Sequence, residues 1–147
     1  MIRTRLAPLA VLGVALLCTL ACRARRPQGT DSRTAVALPV EARDAVLAEM
    51  RTMLGSLNGI LGAATRSDSG GMRQAAAASG LVMAADPALE KYLPEQFLQL
   101  GTSTHVQFDS LAAAIGSGAP RDTAIARLAR ITGNCVSCHA LYRLVLR

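Results

Sequence analysis

The region before the carboxy terminus carries the pattern that most constrains the fold. Over residues 121–146, core-type side chains recur at alternating spacings of three and four. Such spacings place side chains on one face of an α-helix. Similar stripes cover residues 39–64 and 94–115, and an alanine-rich helical segment covers 72–85, whereas no segment has a convincing period of two. The sequence therefore predicts an all-α fold without a sheet, an antiparallel four-helix bundle.

The stripe of the fourth predicted helix contains a Cys-x-x-Cys-His motif formed by Cys135, Cys138 and His139. This motif is the signature of covalent haem c attachment. Positions three and four apart share a helix face, so both thiols can reach the vinyl groups of one porphyrin while the imidazole binds the iron. Aromatic residues make up only 3% of the chain. A bound aromatic cofactor would therefore supply volume that the core lacks.

A Cys-x-x-Cys pair also occurs in zinc sites and in redox dithiols. A zinc site needs further Cys or His ligands, and the only other histidine of the chain is His105. A thioredoxin-like dithiol needs a strand-to-helix setting, whereas this pair lies within a predicted helix. Haem attachment is the leading interpretation, and a haem-free dithiol protein is the alternative.

The motif continues from His139 through Ala and Leu to Tyr142 and Arg143. With the four predicted helices, this pattern resembles the cytochrome c′ family, the class II c-type cytochromes, over about residues 40–147. The resemblance implies one haem c attached to the last helix, with His139 as an axial iron ligand. In low-spin members a Met of the first helix is the sixth ligand, and in high-spin members that position is open to small gases. Family members often dimerise through their first two helices, so the resemblance also allows a homodimer.

We expect Met50 to be the sixth ligand, because it lies on the narrow core stripe of the first predicted helix. Met53 lies on the wider apolar face, and both methionines are alternatively core fillers. Aligning Arg43 with the Arg that often precedes the distal position in the family places Leu47 over the iron instead. That register implies a high-spin protein. Arg43 itself is either a partner of a haem propionate or an exposed residue at the helix start, and His105 is a less favoured ligand.

Histidine with methionine raises the reduction potential of haem iron and suits electron transfer. The sequence therefore predicts a one-electron carrier that serves periplasmic or membrane-associated redox proteins, and not an enzyme. The alternative is a high-spin protein that binds small gases at an open iron. A peroxidase-like enzyme needs a distal acid/base pair, which the apolar first helix does not clearly offer.

Residues 1–21 have the pattern of an export signal, with a short positive head and an apolar stretch too short to span a membrane comfortably. A small residue directly before Cys22 resembles the lipobox of bacterial lipoproteins, which predicts lipidation of Cys22. An ordinary signal peptide is the alternative. Residues 22–38 lack periodicity and predict a flexible linker, and residues 39–147 form the predicted cytochrome domain. The expected location is therefore periplasmic, with a lipid anchor in the bacterial membrane.

The formal net charge of +6 is concentrated in the first 33 residues, and the predicted domain is nearly neutral. Nucleic-acid binding needs a basic face interleaved with aromatic side chains, which the chain lacks. Nucleic acid is therefore not an expected partner.

Overall fold

The computed structural model describes residues 31–84 and 87–147, with residues 87 and 88 described by their backbone alone. Within these ranges the chain is mostly helical, which confirms the predicted helical class. Its four α-helices are α1 (Val40–Thr65), α2 (Ser69–Ala77), α3 (Glu95–Gly116) and α4 (Arg121–Leu141). Two 3₁₀ helices, Leu81–Met83 and Pro87–Tyr92, lie between α2 and α3 in the chain.

The predicted signal peptide (1–21) and the predicted lipidation site Cys22 lie outside the described residues. All described helices and strands belong to one unit, Arg33–Arg147. Among the described helices, none combines the length and the apolar character needed to cross a membrane.

Each of the three long helices begins directly after a proline: Pro39, Pro94 and Pro120. Proline fixes its own φ and lacks an N–H group, so it is well tolerated at a helix start, where N–H groups have no partner within the helix. An acidic side chain follows in the first turn of each, where it interacts favourably with the helix dipole. The start of α2 is capped instead by Asp68, which accepts a 2.8 Å hydrogen bond from the N–H of Gly71.

The second helix is shorter than its sequence suggests. It ends at Ala77, whereas a helix over 72–85 is predicted. The backbone of Gly80 lies so close to Asp109 of α3 that a Cβ atom would collide with the carboxylate. Asp109 also accepts a 2.9 Å hydrogen bond from the N–H of Leu81. These contacts with α3 fix a turn, so the predicted helix is wrong beyond residue 77.

Two short strands, β1 (Thr34–Leu38) and β2 (Tyr142–Leu146), pair in parallel. The expectation of a chain without a sheet is therefore wrong. The predicted linker 22–38 is corrected as well, because its last five residues form β1. The predicted fourth helix, 121–146, ends at residue 141. The reason is tertiary: two segments that lie far apart in the sequence satisfy each other's backbone groups, and no local pattern reveals such a partner.

The apolar core consists of two clusters of buried side chains. The first cluster joins all four helices and includes Ile60 and Phe108, both fully buried. The second cluster joins the two strands to α1 and α3, and it includes Leu38, Phe97 and Tyr142. The rings of Phe97 and Tyr142 meet edge-to-face with centroids 5.5 Å apart. The sheet is thus part of the core that borders the candidate site.

Candidate functional site

A mostly apolar cavity of about 360 Å³ lies between α1, α3 and α4. This volume falls within the usual range of small-molecule sites, roughly 300–1,000 Å³. Met50 and all three residues of the Cys-x-x-Cys-His motif line this one cavity. Its full lining is Val46, Leu47, Glu49, Met50, Arg51, Met53, Leu54, Leu57, Phe97, Leu100, Gly101, Thr104, Asn134, Cys135, Cys138 and His139.

The two thiols of the motif are half-buried and free rather than joined in a disulfide. Burial raises the pKa of the Cys135 thiol. The pKa of the Cys138 thiol is raised by burial first and then by repulsion from Cys135. A reactive redox dithiol usually has a lowered thiol pKa, because the thiolate is the nucleophile. The environment of these thiols therefore differs from that of a redox-active pair.

The imidazole of His139 is held by its own helix. Its Nδ1 atom lies 2.7 Å from the carbonyl oxygen of Cys135. A carbonyl oxygen can only accept, so Nδ1 carries the hydrogen, and Nε2 of the neutral ring keeps a free lone pair. Metal-binding histidines are commonly oriented by such a hydrogen bond from the second nitrogen. His139 is exposed at the edge of the cavity. In this tautomer its Nε2 atom is free to bind a metal.

The zinc alternative would need further ligands near the motif. Within residues 31–84 and 87–147, no group of three or more His, Cys, Asp or Glu side chains could hold a metal ion. The described part of the chain thus lacks the ligand set of a structural zinc site.

Across the cavity, α1 presents Leu47, Met50 and Met53, all of them half-buried. The two methionines differ in their packing. Met50 packs against the second core cluster, as Cys138 does, whereas Met53 packs against the first. The cavity therefore brings together the three candidates for the sixth position that α1 offers, and Met50 shares its packing environment with the motif.

His105 is buried, and both of its ring nitrogens are engaged. Nε2 lies 2.7 Å from Oε1 of Glu49, and Nδ1 lies 2.8 Å from the carbonyl oxygen of Ser79. The hydrogen bond to Glu49 is the main cause of a raised pKa of His105. Two acceptors around one ring favour the imidazolium form. His105 is therefore part of a structural ion pair, and its nitrogens are not available to a metal.

Sequence reasoning did not find the Glu49–His105 pair, because the two residues belong to different helices and no local spacing connects them. The sequence also suggested Arg43 as the cationic residue of the site, whereas the structure places Arg51 there. Arg43 donates hydrogen bonds of 3.0 and 2.7 Å to Oδ1 of Asp44 and does not line the cavity. Arg51, about two turns further along α1, lines it instead.

The site can thus offer two thiols and one imidazole from α4, opposite a thioether from α1, within largely apolar walls. This donor set fits a covalently attached haem, since the sulfur atoms, the axial nitrogen and the apolar surroundings are all present. Comparison with protein-family models, with curated proteins and with solved structures gives no match for this chain.

Proposed function

We propose that this protein is a monohaem c-type cytochrome that carries single electrons. In this proposal its helices form a four-helix bundle, and haem c is attached through Cys135 and Cys138. His139 and Met50 are the axial ligands. The observation that carries the proposal is that these four side chains line one apolar cavity of about 360 Å³.

Haem c, when bound, supplies an iron that cycles between its ferric and ferrous states. The residues of the chain have three roles. The thiols would hold the cofactor, and the hydrogen bond from Nδ1 of His139 to the carbonyl of Cys135 would orient the imidazole that binds the iron. The apolar walls exclude water and disfavour the more highly charged ferric state, which raises the reduction potential. No general acid, general base or nucleophile is needed, because one electron enters and leaves without breaking bonds.

The exposed apolar wall of the cavity is an argument for a large apolar ligand. Leu54 lines the cavity and is still 66% exposed. With Leu47, Met50, Met53 and Leu57, which line the same cavity, it forms an apolar wall along α1. A porphyrin bonded to the motif would cover part of this wall.

A high-spin, gas-binding protein is the second candidate. Leu47 lines the same cavity as Met50, and an apolar residue at the sixth position would leave the iron open to small neutral ligands. The family register based on Arg43 favours this candidate, whereas the packing of Met50 with the cluster of Cys138 favours the electron carrier.

The lipid anchor and the partners are part of the same proposal. Lipidation at Cys22 would hold the domain at a bacterial membrane and on the periplasmic side, within reach of membrane-associated redox proteins. A homodimer is compatible with this arrangement, and no contact with nucleic acid is proposed.

The test is expression with the cytochrome c maturation machinery, followed by mass spectrometry and visible spectroscopy. We expect one haem to be added to the chain, and none when Cys135 and Cys138 are both changed to Ala. The oxidised protein should have a low-spin spectrum with the red methionine-to-iron band. Met50→Ala should remove this band, and the matched variant Met53→Ala, in the same helix and cavity, should keep it.

Other results would point to a different ligand or a different function. A five-coordinate spectrum with rapid carbon monoxide binding that Met50→Ala leaves unchanged would establish the gas-binding candidate. Loss of the band in Met53→Ala alone would assign the ligand to Met53 and leave electron transfer intact. A chain that never acquires haem mass is a haem-free protein.

A further inference from the structure

Arg51 is a charged side chain of the cavity wall, and no described residue forms an ion pair with it. Glu49 is paired with His105 at 2.7 Å. The amide of Asn134 donates to the hydroxyl of Thr104 at 3.2 Å. Among residues 31–84 and 87–147, the side chain of Arg51 has no hydrogen-bond partner and no ion-pair partner. The cavity therefore presents one cation whose charge is not neutralised by a described neighbour.

The position of Arg51 on α1 is that of a rim residue. Leu47, Arg51 and Leu54 follow one another at spacings of four and three, so they share a face of the helix. All three line the cavity, and Arg51 is exposed. A long Arg side chain keeps its guanidinium in water while its methylene groups cover apolar surface. The positive charge thus lies at the solvent edge of an apolar wall.

We propose that Arg51 binds a carboxylate of the cavity's ligand. The ligand class is then a flat apolar molecule with acidic groups at its solvent edge. This inference rests on the proposed haem function, in which those acidic groups are the haem propionates. A guanidinium matches a carboxylate with two parallel hydrogen bonds, which a neutral ester does not provide. Arg43, which bonds to Asp44 and lies outside the cavity lining, is not the residue in this role.

The experiment compares one porphyrin in its acidic and its neutral form. The full chain, purified without covalent haem and with reduced thiols, is titrated with iron protoporphyrin IX and with its dimethyl ester, and binding is followed by visible absorbance. We expect Arg51→Ala to weaken binding of the free acid about fivefold, as for an exposed ion pair, and to leave binding of the ester unchanged. Arg51→Lys should recover part of the loss, and Arg43→Ala should bind like the unchanged chain.

The two forms of the ligand separate charge recognition from packing. Equal weakening of acid and ester in Arg51→Ala would mean that Arg51 only covers apolar surface, and would overturn the proposal. Unchanged binding of the acid in Arg51→Ala, or a loss in Arg43→Ala instead, would overturn it too while leaving the haem function in place. Failure of the unchanged chain to bind either porphyrin, together with no haem mass after maturation, would contradict the haem function itself.

Discussion

Truncating Leu38 in β1 tests whether residues 34–38 belong to the folded domain. The side chain of Leu38 is fully buried in the second core cluster, where it is grouped with Val46, Phe97 and Tyr142. Changing a buried Leu to Ala removes apolar contact and leaves a cavity, which typically costs 2–5 kcal/mol, so we expect a loss of about 3 kcal/mol. This is a large share of the roughly 5–15 kcal/mol that stabilises a small domain.

The assay is urea unfolding followed by circular dichroism. With a urea dependence of about 1.5 kcal/mol per molar, the Leu38→Ala midpoint should fall by about 2 M. Leu61→Ala is the matched control, because Leu61 lies on α1 and is 50% exposed. We expect this control to lose less than about 1 kcal/mol, since much of its side chain is already in water.

Equal midpoints for Leu38→Ala and Leu61→Ala would refute the reasoning. Such a result would mean that the burial of β1 contributes nothing, and that residues 34–38 behave as the linker that the sequence predicts. A cooperative transition in both variants is required for the comparison, because only then does a midpoint report a free energy of unfolding.

Two further predictions concern contacts between helices. The pKa of His105 is raised by its hydrogen bond to Glu49, so this pair stabilises the fold fully below the ordinary histidine pKa of 6.5, and its contribution should fall as the pH rises through the raised folded value. Urea midpoints measured across this interval should decline in the unchanged chain and stay flat in His105→Gln. A midpoint that rises with pH would contradict the sign. Gly80→Ala should destabilise the fold by about 1 kcal/mol, because a Cβ atom would displace the Asp109 carboxylate from its hydrogen bond to the N–H of Leu81. In the control Gly55→Ala, the added Cβ atom meets no atom within 4 Å, so thermal unfolding should show a neutral or stabilising effect. Equal effects of both changes would show that the contact between Gly80 and Asp109 does not matter.

The long helices were predictable because their signals are local. A proline precedes each start, and a stripe with spacings of three and four runs along each helix. The strand β2 was not predictable on these grounds. Tyr142 and Leu146 are four residues apart, a spacing that suits a helix face and also one face of a strand. A five-residue segment is too short to separate the two periods, so the distant partner β1 decides the conformation.

In the candidate site, too, some residues were predictable from local sequence and others were not. Cys135, Cys138 and His139 lie within five consecutive residues, so helical geometry alone places them at one cavity. The residue that faces them from α1 depends on how α1 is rotated against α4. Leu47, Met50 and Met53 all lie on one broad apolar stripe, and a rotation of a fraction of a turn exchanges one for another. Packing settles this rotation, and packing is a property of the whole core.

Residues far from the motif in sequence also contact the motif helix, which makes the site less local than its five-residue motif suggests. β2 begins directly after α4, only three residues beyond His139. Arg33, just before β1, donates long hydrogen bonds of 3.3 and 3.5 Å to the carbonyl oxygens of His139 and Tyr142. A basic side chain at these last carbonyls also interacts favourably with the carboxy-terminal end of the helix dipole. The end of the motif helix that carries the predicted iron ligand is therefore held in part by a residue distant in sequence, which the motif alone does not reveal.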